Sequence, residues 1–128
     1  MDKRGLQVAS AILAAIPVVT GIIGLLGTSD PLYELKGQPD VLLDSNLRFF
    51  GGLWLGLGIA MYWLVPRIDT QTVLFRALWG IIFLGGIGRL ISMLAVAAPP
   101  VPFIGFTVLE IVGAPLLVLW QARLAQRA

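Results

Sequence analysis

The chain has 128 residues, of which 58% are hydrophobic and 12% charged, and its mean hydropathy is +0.91. Soluble domains carry about a quarter charged residues, so a water-soluble domain is excluded, and at roughly 100–200 residues per domain the length allows a single core. Cys and His are both absent. That excludes disulfides, thiol nucleophiles, imidazole bases and nearly all transition-metal sites, and no metal or cofactor is expected.

A helix crosses the hydrocarbon core of a bilayer with about 20 apolar residues. Four stretches qualify, at residues 6–27, 46–65, 73–97 and 103–122. The first is uncharged, the second carries Arg48, the third Arg76 near its start and Arg89 inside, and the fourth Glu110. The predicted fold is an all-α integral membrane protein of one domain over residues 1–128, with four transmembrane helices in an up-down bundle. Asp30-Pro31 and Gln38-Pro39 mark an outer loop over 28–45, in which Leu32, Tyr33 and Leu35 beside acids suit a short interfacial helix. Leu25-Leu26-Gly27-Thr28 offers no small-x-small cleavage site, so the first stretch is expected to be an uncleaved span.

Orientation follows from Lys and Arg in the short loops. Lys3, Arg4, Arg67, Arg76, Arg123 and Arg127 fall on one side; Lys36 stands alone on the other among Asp30, Glu34, Asp40 and Asp44. Both termini are therefore expected in the cytoplasm, in a multi-pass protein of the inner (cytoplasmic) membrane. The basic charge balance reflects this topology and gives no support to nucleic-acid binding. Trp54, Trp63, Trp79 and Trp120 suit anchoring at the interfaces.

Helices in lipid associate through small residues and interhelical hydrogen bonds. Gly52, Gly56 and Ala60 repeat every four residues on the second span, Gly21, Gly24 and Gly27 end the first, Gly85, Gly88 and Ser92 mark the third, and Gly113 lies one turn after Glu110. These are predicted to pack the helices within the chain, a homo-oligomer interface being the alternative. Pro17 and Pro115 each remove a backbone hydrogen bond inside a span and bend it.

An ionised side chain in hydrocarbon costs roughly 2.5–3.5 kcal/mol on insertion scales, which makes such residues functional candidates by default. At 1.5 Å per residue, Arg89 lies about 12 Å and Glu110 about 10 Å below the outer surface on adjacent antiparallel helices, so the two are expected to pair. Asp44 precedes Arg48 by four residues, in the favourable acid-before-base order. Together Asp44, Asn46, Arg48, Arg89, Ser92, Thr107 and Glu110 form a predicted polar pocket in the outer half of the bundle. Either the two pairs are closed and only fix helix register, or two arginines facing one deep carboxylate suit an anion, a lipid head group or a polar substrate.

At these residues the sequence resembles a mainly bacterial family of four-helix membrane proteins, domain of unknown function 4345. The similar parts are Leu43-Asp44-Ser45-Asn46-Leu47-Arg48-Phe49 with Gly52 and Gly58, then Phe83-Leu84-Gly85-Gly86-Ile87-Gly88-Arg89-Leu90-Ile91-Ser92, then Glu110 before Pro115. The resemblance covers essentially the whole chain. It implies four helices and a recurrent Asp, Arg, Arg, Glu set, and no known reaction.

Phosphate loops, dinucleotide fingerprints and Ser or Cys nucleophiles with a His partner are missing from the sequence. Three functional readings follow. The favoured one is a binding or accessory protein whose polar pocket holds a membrane lipid or amphiphile, or whose glycine faces dock a larger membrane partner. The second is a small membrane enzyme, an isomerase or transferase on a lipophilic substrate, with Glu110 moving a proton and Arg89 or Arg48 polarising an oxygen. The third is a dimeric transporter with Glu110 as coupling carboxylate.

Overall fold

Apolar stretches of this length satisfy their backbone hydrogen bonds internally as helix, and all four do so in the computed structural model, which describes residues 2–33, 35–37 and 40–127. The elements are α1 (Lys3–Gly24), a 3-10 turn (Gly27–Ser29), α2 (Val41–Leu64), a 3-10 turn (Val65–Arg67), α3 (Thr72–Ala95), α4 (Val101–Val108), a π turn (Leu109–Gly113) and α5 (Ala114–Ala125). No strand occurs among the described residues. Four helical runs, Lys3–Gly24, Val41–Arg67, Thr72–Ala95 and Val101–Ala125, are long and apolar enough to cross a membrane.

The boundaries differ from expectation where caps intervene. Helix α2 begins at Val41, because Asp40 caps it: its Oδ1 accepts from the backbone N–H of Leu42 at 2.7 Å and of Leu43 at 3.3 Å. Asp44, expected in the outer loop, therefore sits in the first helical turn. Helix α1 stops at Gly24, three residues early, and Gly27 follows with φ +62°, a left-handed conformation that favours glycine. Helix α3 ends at Ala95, two residues before the expected limit. The described residues of the 28–40 connection contain no α-helix, so the suggested interfacial helix does not form over Leu32, Tyr33 and Leu35; Glu34, Gln38 and Pro39 lie outside the described residues.

The chain divides into two compact units, Val8–Val65, and Met1–Gln7 with Pro66–Ala128. In the first, α1 and α2 form an antiparallel hairpin of very close backbone approach. A Cβ on Gly51 would lie 2.6 Å from the Gly24 carbonyl carbon, one on Gly21 2.5 Å from the Leu55 backbone nitrogen, and one on Gly58 2.9 Å from the Val18 backbone nitrogen. Trp54 Nε1 donates to Thr20 Oγ1 at 2.8 Å, and Tyr62 Oη donates to the Ala11 carbonyl at 2.9 Å. Trp54 thus ties the hairpin together, where an interfacial anchor was expected.

The glycine seam is a correction. A Cβ at Gly56 would meet nothing within 4 Å among the described residues, and one at Gly52 only a Leu25 methyl at 3.8 Å. The contact seam runs Gly51, Leu55, Gly58, Tyr62, in steps of four, three and four. A strict four-residue step such as Gly52, Gly56, Ala60 drifts about 40° per step around a helix of 3.6 residues per turn, whereas alternating steps stay on one face.

In the second unit α3 packs along α4, the π turn and α5. Phe75, Leu78, Trp79 and Ile82 of α3 are buried, as are Ala114 and Leu117 of α5. Trp79, expected at an interface, is a core residue that stacks at a tilt on Phe75, with ring centroids 6.1 Å apart. Gln121 is fully buried and its Nε2 donates to the Ile68 carbonyl at 3.1 Å and to Thr72 Oγ1 at 2.8 Å, fastening α5 to the turn that precedes α3.

Candidate functional site

The two arginines singled out by the sequence sit in different units, each with its own carboxylate. At the tip of the α1–α2 hairpin all three guanidinium nitrogens of Arg48 are engaged. Nε donates to Asp44 Oδ2 at 2.7 Å, Nη2 to Asp44 Oδ1 at 3.3 Å, and Nη1 to the Leu25 carbonyl, one of the free acceptors at the end of α1, at 2.6 Å. Asp44 Oδ1 also accepts from the Thr28 backbone N–H at 2.9 Å and from its hydroxyl at 3.1 Å. A side chain on Gly27 would collide with Asp44, so this glycine makes room for the cluster as well as the turn. Asn46, expected in the same group, is exposed.

In the other unit, Arg89 and Glu110 form the pair expected from their matched depth. Arg89 Nε donates to Glu110 Oε2 at 3.1 Å and to Oε1 at 3.3 Å. Glu110 is buried, its side chain 8% exposed, while that of Arg89 keeps 36% exposure. Neither Nη of Arg89 has a hydrogen-bond acceptor among the described residues. The guanidinium carbon lies 5.4 Å from the centroid of the Phe103 ring, which meets Phe106 edge-on at 5.9 Å. Thr107 is buried beside the pair in sequence, but its hydroxyl donates to the Phe103 carbonyl at 2.8 Å. Ser92 is exposed.

Two local features place this pair. Gly86 lies one turn before Arg89 on the same face of α3, and a Cβ there would fall 2.7 Å from Glu110 Cβ and 2.9 Å from Ile111 Cγ1. The missing side chain lets α3 approach the π turn closely. Gly85, Gly88 and Gly113, to which packing was assigned, would each carry a Cβ with no atom within 4 Å among the described residues. The π turn has a cause in Pro115. Proline lacks an N–H and its ring clashes with the carbonyl four residues back, here Ile111. The chain widens by one residue, Ala114 N–H donating to the Leu109 carbonyl, and Glu110 rides on the widened turn. Such single π turns are frequent at functional sites.

Sequence reasoning placed Gly86 on the Arg89 face but assigned packing to Gly85 and Gly88, and it missed Phe103 and Gln121. Gln121 carried a signal, as the last polar residue of an apolar span; Phe103 is an apolar residue in an apolar stretch. A further ion pair, Lys3 Nζ to Asp69 Oδ2 at 2.7 Å, lies in the second unit. The hydrogen bond from Lys3 holds the Asp69 carboxyl below the usual carboxylate range. No group of three or more acidic residues able to hold a metal occurs among the described residues.

The fold and this site define a class: an all-helical protein, over the described residues, with four membrane-length apolar helices and an Arg–Glu pair whose carboxylate is buried. The chain belongs to the family described as Domain of unknown function (DUF4345), which matches residues 5–121. No curated protein and no solved structure matches it.

Proposed function

We propose that the chain is a multi-pass binding protein of the cytoplasmic membrane, with both termini in the cytoplasm, and that Arg89, positioned by Glu110, holds the polar head of a lipid or other amphiphile. The observation that carries this reading is the unfinished coordination of Arg89. Its Nη1 and Nη2 present N–H donors without acceptors among the described residues, and an unsatisfied polar group in hydrocarbon costs several kcal/mol, about 4–8 on alkane-like scales. Arginine commonly escapes this by extending to the interface. Here Nε is tethered to Glu110, and Arg89 lies six residues, about 9 Å, inside the end of α3 at Ala95. An acceptor carried by a membrane molecule satisfies the free edge.

Leu84, Ile91 and Leu94 of α3 and Val101 and Val108 of α4 are exposed apolar side chains on faces turned away from the Arg89–Glu110 pair, as suits a lipid-facing surface. The distribution of Lys and Arg supports the orientation. Arg48 falls outside the proposed site, because its nitrogens are all taken up within the hairpin. The reading is tested by native mass spectrometry of the chain extracted from membranes in mild detergent. The expected result is a retained amphiphile on the parent chain that is lost in Arg89→Lys; equal retention by both rejects the site.

A further inference from the structure

Resting on the amphiphile reading above, we infer that the group held by Arg89 is an uncharged carbonyl oxygen, of an ester or a ketone, and that phosphates and carboxylates are disfavoured there. Charge balance is the first ground. Glu110 already neutralises Arg89 through two contacts of 3.1 and 3.3 Å. The next cation on α3 is Arg76, thirteen residues earlier and about 20 Å away along the axis. Residues 96–113, which include the connection to α4, α4 itself and the π turn, contain no cation, and Glu110 is their one charged residue. An anion at the free edge therefore leaves an uncompensated negative charge in a low-dielectric setting.

The helix ends do not make up the difference. The C-terminal end of α3 and the N-terminal end of α4 belong to packed, consecutive helices, so their partial charges, of opposite sign, offset each other. Donor supply points the same way. The Thr107 hydroxyl is taken by the Phe103 carbonyl and the face of Phe103 lies against the guanidinium, so α4 adds no donor to the two Nη groups; the remaining hydroxyl on this stretch of α3 is that of Ser92, one turn on and exposed. One or two carbonyl oxygens match the available N–H groups. Depth agrees, since head-group phosphates occupy the layer, roughly 5–7 Å thick, outside the hydrocarbon, and ester carbonyls lie at its inner edge.

The test uses the full chain in mild detergent and three probes: dioleoylglycerol, with two ester carbonyls and no charge; its dioleyl diether, without carbonyls; and dioleoylphosphatidic acid. The diester should bind roughly ten- to a hundredfold more tightly than the diether, as befits hydrogen bonds to a charged donor. Phosphatidic acid should bind no more tightly than the diester. Arg89→Lys keeps a cation beside Glu110 but loses the planar fork, and should abolish the preference for the diester. Glu110→Gln leaves the arginine uncompensated and should shift the preference to phosphatidic acid. Should either variant fail to fold, the diester-to-diether ratio on the parent chain decides alone. Phosphatidic acid binding at least tenfold more tightly than the diester, or equal binding of diester and diether, overturns the carbonyl assignment and leaves the amphiphile reading standing. No retention of any probe by the parent chain overturns both.

Discussion

Arg48 and Arg89 are alike in sequence context, each a cation inside a glycine-rich apolar helix with an acid partner, and they end in opposite chemical states. Arg48 has every nitrogen engaged: two on Asp44 and one on the Leu25 carbonyl. Arg89 has one nitrogen engaged and two open. The difference arises from who supplies the acceptors. Near the hairpin tip the end of α1 leaves carbonyls free, and one of them closes the Arg48 shell. Both arginines lie within continuous helices whose own backbone carbonyls bond to one another, but no neighbouring helix end supplies a carbonyl to Arg89 as Leu25 does to Arg48. An arginine on an apolar helix is thus closed where the end of a neighbouring helix supplies a carbonyl, as for Arg48, and keeps open donors where none does, as for Arg89.

Removing each partner sharpens the contrast. The largest effect is expected for Arg89→Ala, which leaves the buried Glu110 unpaired. It should cost about 3 kcal/mol in reversible unfolding from detergent, the low end for a broken buried pair because the Arg89 side chain keeps 36% exposure. Unchanged stability would show that the pair contributes nothing. Next come the close approaches. Gly86→Ala and Gly51→Ala place a Cβ 2.7 and 2.6 Å from neighbouring atoms, and each should destabilise by about 1–3 kcal/mol. Their neighbours Gly85→Ala and Gly52→Ala should stay within roughly 0.5 kcal/mol of the parent. Equal effects within either couple would refute the displaced seam.

Arg48→Lys is expected to lower the melting temperature by less than Arg89→Ala, because this group is largely exposed and screened, and to leave amphiphile retention untouched. The smallest effect concerns Lys3 and Asp69. The Asp69 carboxyl is held below its unfolded value by the Lys3 hydrogen bond. The stabilisation is therefore complete above the ordinary carboxylate pKa and is lost as pH falls through the folded value. Asp69→Asn should flatten the acid limb of a melting-temperature profile slightly; an unaltered limb would mean that the pair adds nothing.

Much of the fold was legible because apolar length and proline position are written in single residues. All four helices appear where apolar runs of about twenty residues predict them, and the Asp44–Arg48 and Arg89–Glu110 contacts follow from i+4 spacing and matched depth. The glycine seam was misread by one position because a four-residue stripe looks regular in sequence yet winds off the face. The π turn was legible only as a bend at Pro115, since the widening depends on how the helix relieves the clash. The closure of Arg48 was hidden because its third acceptor, the Leu25 carbonyl, is a backbone atom of another helix.

The central claim is that the two arginines differ in availability. Side-chain 15N NMR of the full chain in micelles addresses it directly, with the guanidinium signals assigned through Arg48→Lys and Arg89→Lys and dioleoylglycerol as titrant. The account predicts that the Arg89 signals shift in a saturable manner while those of Arg48 stay fixed. Movement of the Arg48 signals, or silence from both, would contradict it.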